Sequence, residues 1–369
     1  MRKLFAPLFL TLLACSPVLS AAVTMLESGR ELIAAADIDL DGQSDIAIVD
    51  RTAGSIRVAF ASANGTYTHL GPIVVARPLD STTDAATGFS LGRFSSNASA
   101  WGVVASPADG VLRILSLNKS SPDTFGRTAI SPFMLRSVGP SKVSALTLTA
   151  TGALANRDGI LLGSIENGGN QAGALENIKT TANATLESHN TSSYAASALP
   201  LSINPVPYSR ALLDRPHAGV MVGTVYGNST LHLHRVGFGA ATAGAPAATQ
   251  AIPASSYRQF ATGFFGATLD PQVLVFSPGN PMVYAYPLNG GATPTFGPVY
   301  YRNFSSPVRS LSVVRGNGTA ADRLLVTFQY GGGAALYDYN GVDFPTLVKE
   351  FPRPPDSDIV SGIGLDHGE

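Results

Sequence analysis

Cysteine, tryptophan and charged residues are scarce in this sequence. Of 369 residues, one is cysteine (Cys15) and one is tryptophan. A single cysteine excludes an intrachain disulfide, so core burial, assisted by any bound metal ion, has to hold the fold together. Charged residues make up 13% of the chain and hydrophobic residues 45%, which indicates a folded globular protein rather than a disordered one.

A basic stripe is also missing. The formal net charge is -1, and lysine and arginine are not concentrated in any segment. Binding to nucleic acid requires basic side chains that displace the counterions condensed on phosphates. We therefore expect no nucleic-acid partner.

The first 20 residues have the pattern of a secretion signal. Two basic residues precede an apolar run from Leu4 to Leu13, and small residues suited to cleavage follow. Residues 1–20 are predicted to be a signal peptide and residues 21–369 a single mature domain, secreted, periplasmic or at the cell surface. The segment Leu12–Cys15 also resembles a bacterial lipoprotein cleavage box, and only a lipid anchor at Cys15 would bring the protein to a membrane.

Beyond this segment, short apolar runs alternate with turn residues along the whole chain. Runs such as Ile46–Val49 and Leu324–Phe328 are bounded by Gly, Asn, Asp, Ser or Pro, as expected for strands. No window sustains the apolar stripe of an amphipathic helix. The predicted fold class is all-β.

One strand type recurs seven times, at a spacing of about 50 to 55 residues that is typical of a β-propeller blade. Each unit is expected to be a four-stranded antiparallel sheet, and the sheets to pack radially against one another. The seven copies are Ala34–Ile38, Gly88–Phe94, Ala145–Thr149, Arg210–Leu213, Ala261–Gly266, Ser310–Val314 and Ser361–Leu365.

The repeat count predicts six full units and the start of a seventh. We favour a seven-bladed propeller whose chain is truncated in the last blade. The alternative is a six-bladed ring with an additional C-terminal strand. The interval from Glu166 to Pro207 is rich in Asn, Ser, Thr and Ala and is expected to be a surface insertion.

An acidic loop precedes the strand Ile46–Val49. It reads Asp37-Ile38-Asp39-Leu40-Asp41-Gly42-Gln43-Ser44-Asp45. Alternate spacing directs the carboxylates of Asp37, Asp39 and Asp41 to a common point when the loop curls, and like charges packed together repel unless a cation neutralises them.

Oxygen ligands without His or Cys suit calcium. We predict a Ca²⁺ site formed by Asp37, Asp39, Asp41, the backbone carbonyl of Gln43, and Asp45. An EF-hand is excluded, because its twelfth position requires glutamate and Ile48 stands there. The alternative is a solvated turn without metal, since Asp and Gly are common turn residues.

A strand-flanked acidic loop inside a repeat of this length resembles the FG-GAP (VCBS-type) repeats of integrin α-subunit head domains and of many secreted bacterial proteins. The resemblance in strand pattern covers nearly the whole mature chain, but only the first unit carries the full acidic motif. It implies a calcium-bearing β-propeller that serves adhesion or ligand recognition. The calcium would then have a structural role rather than a catalytic one.

Two functions follow from these patterns. The first is a secreted, monomeric, non-enzymatic recognition or adhesion module that binds an extracellular protein or glycan. The second is a secreted carbohydrate-active enzyme, a polysaccharide lyase or hydrolase. The sequence contains no nucleophile elbow, P-loop or HExxH motif, so no catalytic residue is predicted and the binding module is favoured.

Two further residue groups have a structural and a functional interpretation. His232 and His234 share one face of a strand and could bind a transition metal with His217, although exposed strand histidines are commoner. Tyrosines could form a sugar-binding platform, although aromatic residues in strands usually pack. These tyrosines are Tyr284, Tyr286, Tyr300, Tyr301, Tyr337 and Tyr339.

Overall fold

The computed structural model describes strands and turns between residues 22 and 365. The described residues are 22–26, 30–39, 41, 43–64, 66–74, 86, 88–92, 101–106, 111–117, 119–121, 124–125, 133–134, 137–147, 158–166, 173–180, 186–194, 200–206, 220–226, 230–236, 248–253, 259–266, 271–289, 295–314, 316, 321–343, 345–353, 355, 359 and 361–365. The predicted signal peptide at 1–20, with Cys15, lies outside them. Within these ranges, no helix has the length and apolar character needed to cross a bilayer.

The N-terminal half forms three four-stranded antiparallel sheets, preceded by one strand that pairs with the last described strand of the chain. Strand β1 (Ala22–Leu26) precedes the first sheet, which consists of β2 (Glu31–Ala36), β3 (Asp45–Asp50), β4 (Ser55–Ala61) and β5 (Tyr67–Val74). The second sheet contains β6 (Gly88–Gly92), β7 (Trp101–Ser106) and β8 (Val111–Ser116) and, after the hairpin of β9 (Lys119–Ser121) and β10 (Thr124–Phe125), β11 (Phe133–Met134). The third sheet consists of β12 (Ser137–Thr147), β13 (Asp158–Glu166), β14 (Gly173–Thr180) and β15 (Leu186–Tyr194).

The C-terminal half repeats the same arrangement. The fourth sheet consists of β16 (Pro200–Val206), β17 (Val220–Tyr226), β18 (Thr230–Val236) and β19 (Ala248–Ala251). The fifth contains β20 (Gln259–Phe264), β21 (Pro271–Phe276), β22 (Asn280–Asn289), which also pairs with β23 (Thr295–Phe296), and the start of β24 (Tyr300–Val314). The sixth contains the end of β24, β25 (Arg323–Phe328), β26 (Ala334–Asp338) and β27 (Thr346–Phe351). The last strand, β28 (Ser361–Leu365), pairs with β1.

The first strands of consecutive sheets contact one another in a closed circle. β2 contacts β6, and the succession continues through β12, β16, β20 and β24 to β28, which contacts β2. The circle therefore has six positions occupied by four-stranded sheets and one occupied by the pair of β28 and β1. The prediction of an all-β fold built from four-stranded antiparallel sheets is confirmed.

Apolar side chains fill the spaces between neighbouring sheets. Strand β3 shows why its sequence is a continuous apolar run: Ala47 and Val49 face a cluster shared with the second sheet, whereas Ile46 and Ile48 face the opposite side. Each fully buried aliphatic or aromatic side chain contributes about 1.5–3 kcal/mol. The cluster between the fifth and sixth sheets includes Phe265, Leu274, Phe276, Val283, Leu324, Val326, Phe328 and Tyr339.

One sequence-based expectation is wrong. The interval from Glu166 to Pro207 is not an insertion, because it contains β14, β15 and β16. The first strand described in the fourth sheet is β16, and the predicted strand Arg210–Leu213 lies outside the described residues. Outer strands carry little apolar signal, as β27 shows: its residues from Thr346 to Glu350 are exposed, so only weak β-propensity marks them in a sequence.

Candidate metal centre in the first sheet

The acidic loop joins β2 to β3, the two innermost strands of the first sheet. Asp37 and Asp39 are half-buried and Asp41 is exposed, whereas Asp45, the first residue of β3, is fully buried. Asp45 is more buried than the other three aspartates because β3 is covered on both faces, whereas the loop lies at the end of the sheet. Leu40 and Gly42 lie outside the described residues.

Asp45 anchors both ends of this loop through its carboxylate. Its Oδ2 accepts the backbone N–H of Ile38 at 2.8 Å and that of Asp39 at 3.3 Å. Its Oδ1 accepts the backbone N–H of Ala61, the last residue of β4, at 2.8 Å. One buried carboxylate therefore closes the loop and ties it to the third strand of the sheet.

The environment of Asp45 opposes its negative charge. Burial raises its pKa to about 6, the hydrogen bonds from Ala61 and Ile38 act in the opposite direction, and the charge of Asp39 raises the pKa further. A carboxylate in this situation is stabilised by any cation that comes into contact with it. The three N–H groups use three of its roughly four lone-pair sites, which leaves one for a metal ion.

Three carboxylates of the loop lie close enough together to share one ion. Ligand oxygens of Asp37, Asp39 and Asp45 are all within 4.8 Å of one another. Oxygens bound to a single Ca²⁺ at 2.3–2.6 Å are separated by at most about 5 Å, so the spacing meets the geometric condition. The Oδ1 atoms of Asp37 and Asp39 are buried, and their hard oxygen chemistry fits calcium.

Asp41 and Gln43 have a different arrangement from the other three predicted ligands. Asp41 Oδ1 accepts the backbone N–H of Gln43 at 2.8 Å, which forms a local turn at the exposed tip of the loop. Asp41 does not belong to the group of three carboxylates. The carbonyl of Gln43 remains a predicted ligand.

A second buried aspartate, which was not predicted from the sequence, lies at the equivalent position of the sixth sheet. Asp322 is 1% exposed and directly precedes β25. Its Oδ1 accepts the N–H of Gly316, six positions earlier, at 3.0 Å, as Asp45 accepts that of Asp39. Its Oδ2 accepts the N–H of Phe264 in the fifth sheet at 2.8 Å, and the Asp322 N–H donates to the Phe264 carbonyl at 2.9 Å.

Asp45 and Asp322 both accept hydrogen bonds from backbone N–H groups, but only Asp45 has further carboxylates close enough to share a metal ion with it. The signal for Asp322 was present in the sequence, because it precedes an apolar strand as Asp45 does. The loop before Asp322, residues 315–321, contains no carboxylate. Asp322 therefore holds the N–H groups of Gly316 and Phe264 without neighbouring carboxylates, and Asp37 and Asp39 distinguish the first sheet from the sixth.

The histidines and tyrosines singled out above do not form a second site in the described residues. His232 is half-buried, and burial lowers its pKa; His217 and the side chain of His234 lie outside the described part. Among the described residues, one group of three or more Asp, Glu, His or Cys side chains could hold an ion, and it consists of Asp37, Asp39 and Asp45. Tyr284, Tyr286 and Tyr339 are buried, whereas Tyr301 is 57% exposed.

Comparison with known proteins identifies the class of fold. No protein-family model matches the chain, and no curated protein matches it in sequence. Among solved structures, a protein from Lactobacillus plantarum has a TM-score of 0.56 at 12% identity, over 90% of this chain and 87% of that one. BBS1N, in a complex with ARL6DN, has a TM-score of 0.51 at 11% identity, over 90% of each chain.

A fungal lectin is a further structural neighbour. A mutant of the Aleuria aurantia lectin in complex with alpha-methyl-L-fucoside has a TM-score of 0.52 at 14% identity, over 90% of this chain and all of that one. Another structure of this lectin is described as a six-bladed β-propeller. At these identities the likeness concerns the fold alone, and together with the circle of four-stranded sheets it makes this chain a β-propeller.

Asp322→Ala tests the anchoring role. The substitution leaves the N–H groups of Phe264 and Gly316 without their acceptor, at about 1–3 kcal/mol each. We expect the free energy of unfolding to fall by about 3 kcal/mol in chemical denaturation, equally with and without calcium.

Asp338→Ala is the matched control. Asp338 pairs with Arg323 at 2.7 Å, and its side chain is 58% exposed. Such a surface pair contributes less than about 1 kcal/mol. Equal losses of stability for the two variants would show that Asp322 is not an anchor.

Proposed function

We propose that the protein is an exported recognition module that binds an extracellular glycan or protein, with calcium fixing the acidic loop of its first blade. The support for a binding role is the architecture, a closed circle of sheets whose first strands contact one another. Loops mounted on such a rigid framework are common sites of recognition. Export is proposed from the signal-like residues 1–20.

The fold neighbours are compatible with this role. The Aleuria aurantia lectin was solved with a fucoside and BBS1N with the protein ARL6DN. A propeller can therefore present its surface to a sugar or to a protein, and the chemistry of the surface residues decides between them. The repeat pattern and the acidic loop still favour the FG-GAP type of propeller for this chain.

The single observation that carries the calcium proposal is the convergence of Asp37, Asp39 and Asp45 within 4.8 Å. A bound calcium ion would supply positive charge that neutralises the three carboxylates. The chain's own contribution is to hold them in place: the N–H groups of Ile38 and Ala61 fix the orientation of the Asp45 carboxylate. Asp37 and Asp39 flank Ile38, which is fully buried and orients the start of the loop.

The double substitution Asp37→Asn with Asp39→Asn should have opposite effects with and without calcium. In chelator, the variant should be more stable than the wild type by about 1 kcal/mol, because two charges that repel Asp45 are removed. In calcium, the wild type should have the higher melting temperature, because only it gains the free energy of ion binding. Calorimetry should show one calcium site in the wild type and none in the variant.

Asp41→Asn is the control for this experiment. Its side-chain oxygen still accepts the N–H of Gln43, and the position is exposed and lies apart from the three converging carboxylates. Calcium binding should weaken only slightly. If the melting temperature of the wild type is the same in calcium and in chelator, the acidic loop is a solvated turn.

The recognition role is tested by screening the mature chain, residues 21–369, on immobilised glycans and on extracellular proteins. We expect saturable binding to one class of ligand, without chemical change of that ligand. Release of shortened or unsaturated oligosaccharides from polysaccharides would instead establish the enzymatic alternative and refute the binding role.

A further inference from the structure

The turn between β4 and β5 lies next to the acidic loop of the first blade. Both residues that flank it interact with Asp45. The N–H of Ala61 donates to the Asp45 carboxylate at 2.8 Å, and the pKa of Tyr67 is raised by burial and, to a smaller extent, by the Asp45 charge. Asn64 lies within this turn and is exposed. A charge formed at Asn64 is therefore close to the acidic loop.

The turn polarises the side-chain carbonyl of Asn64. The N–H of Ser62 donates to the carbonyl of Thr66 at 2.9 Å, which closes the turn. Asn64 Oδ1 accepts the backbone N–H of Thr66 at 3.0 Å and its hydroxyl at 2.6 Å. Two donors on one oxygen stabilise negative charge that develops there when the adjacent Cγ is attacked. The Nδ2 of Asn64 donates to no acceptor among the described residues.

The attacking group is supplied by the next residue in the chain, Gly65. Its backbone nitrogen can bond to Asn64 Cγ and close a cyclic imide, and the lack of a Cβ leaves this approach unhindered. The new C–N bond replaces the bond from Cγ to Nδ2, and Nδ2 leaves as ammonia with the proton lost by the Gly65 nitrogen. Water then adds to one ring carbonyl and opens the imide to aspartate or isoaspartate. No oxidant or reductant is required.

We propose that Asn64 is a deamidation site, and that the carboxylate formed there lies beside the acidic loop of the first blade. The sequence contains five Asn–Gly pairs, so the pair by itself does not single out Asn64. Asn167 and Asn317 lie outside the described residues, whereas Asn289 and Asn340 are described and exposed. The hydrogen bonds of the three described side chains distinguish them.

Asn340 is held by its neighbours. Its Nδ2 donates to Asp343 Oδ2 at 2.7 Å, and its Oδ1 accepts the N–H groups of Val342 and Asp343. The leaving nitrogen is thus bound to a carboxylate, whose charge also opposes negative charge on Oδ1. The carbonyl of Gly341 accepts from Gln272 Nε2 at 3.2 Å, which fixes the residue that would attack. Ring closure at Asn340 would have to break these contacts.

Asn289 is an intermediate case. It ends β22, where it pairs with Thr295, and its Nδ2 donates to Thr295 Oγ1 at 3.4 Å. Its Oδ1 receives no donor from the described residues, so its carbonyl is not polarised as that of Asn64 is. We therefore expect deamidation to be fastest at Asn64, slower at Asn289 and slowest at Asn340.

The reaction changes the charge of the first blade. An aspartate or isoaspartate at position 64 adds a negative charge near Asp45, which attracts a cation to the acidic loop. This consequence rests on the proposed calcium site, whereas the deamidation does not. Asn64→Asp reproduces the charge and should bind calcium about two- to threefold more tightly than the wild type at low ionic strength, and equally at high ionic strength.

The test of the reaction is peptide mapping by mass spectrometry of the folded mature chain during incubation at mildly alkaline pH. Alkaline pH favours loss of the proton from the attacking nitrogen. We expect aspartate and isoaspartate to form at least about tenfold faster at Asn64 than at Asn340, where a charge-assisted hydrogen bond has to break. Gly65→Ala should slow the reaction at Asn64 by about tenfold, because a Cβ hinders the attack.

Thr66→Val tests whether the turn activates the carbonyl. It keeps the shape of the side chain and removes the hydroxyl donor, so the reaction at Asn64 should slow by about threefold or more. Thr295→Val is the matched control, since it removes the acceptor of Asn289 and should leave the rate at Asn64 unchanged. Melting temperatures of the variants show whether each remains folded under the conditions of the incubation.

Two results overturn the inference. One is a rate at Asn289 or Asn340 equal to or above that at Asn64, and the other is a rate at Asn64 that Thr66→Val does not lower. Equal calcium affinities of Asn64→Asp and the wild type at low ionic strength would refute the placement of the new charge beside the acidic loop. If the wild type binds no calcium while Asn64 still reacts fastest, the proposed calcium site fails and the deamidation site stands.

Discussion

The apolar contact between neighbouring sheets is the interaction on which the rest of this structure depends. No sheet can bury both faces by itself, and the single cysteine offers no disulfide to replace that burial. Each sheet is therefore stabilised by the two beside it, and the circle has to close. Closure brings β28 against β2 and β24, with β1 paired to β28. The first and last described strands thus complete the same position.

The second constraint on the structure is that backbone N–H groups buried at the ends of the blades need hydrogen-bond acceptors. A buried strand such as β3 begins at a loop whose N–H groups need acceptors, and Asp45 supplies them for Ile38, Asp39 and Ala61. Asp322 does the same in the sixth blade and extends across to Phe264 of the fifth. The carboxylate at the start of the second strand is therefore part of the framework. In the first blade, the framework carries two further carboxylates close enough to share an ion with it.

The sequence predicted the parts of the fold that have periodic apolar signals. Strand β28 occupies Ser361–Leu365 and β20 lies within two residues of its predicted start, because both strands coincide with short runs of small and apolar residues. The polar outer strands β14 and β15 lie in the interval that the sequence predicts to be an insertion. Their residues carry no periodic apolar signal, so only the hydrogen-bonded ladders of β14 with β13 and of β15 with β14 identify them.

The site was predictable to a similar extent. Alternate aspartates indicated a cation site, but spacing alone could not show that Asp41 turns outward to bind Gln43. Nor could it show that Asp45 is an anchor as well as a candidate ligand. The buried hydrogen bond from Gln272 to the Gly341 carbonyl left no local signal, since the two residues come from distant segments and meet only when the fifth and sixth blades pack.

The measurement that tests the central claim most directly is a crystal structure grown in calcium, with anomalous diffraction data to locate the ion. The account predicts one strong anomalous peak in the loop between β2 and β3, bound by Asp37, Asp39 and Asp45, with Asp41 outside the group of three carboxylates. It also predicts the circle of sheets described above. A loop in the same conformation, with Asp45 still binding its three N–H groups and no anomalous peak, would show that the carboxylates serve the framework alone.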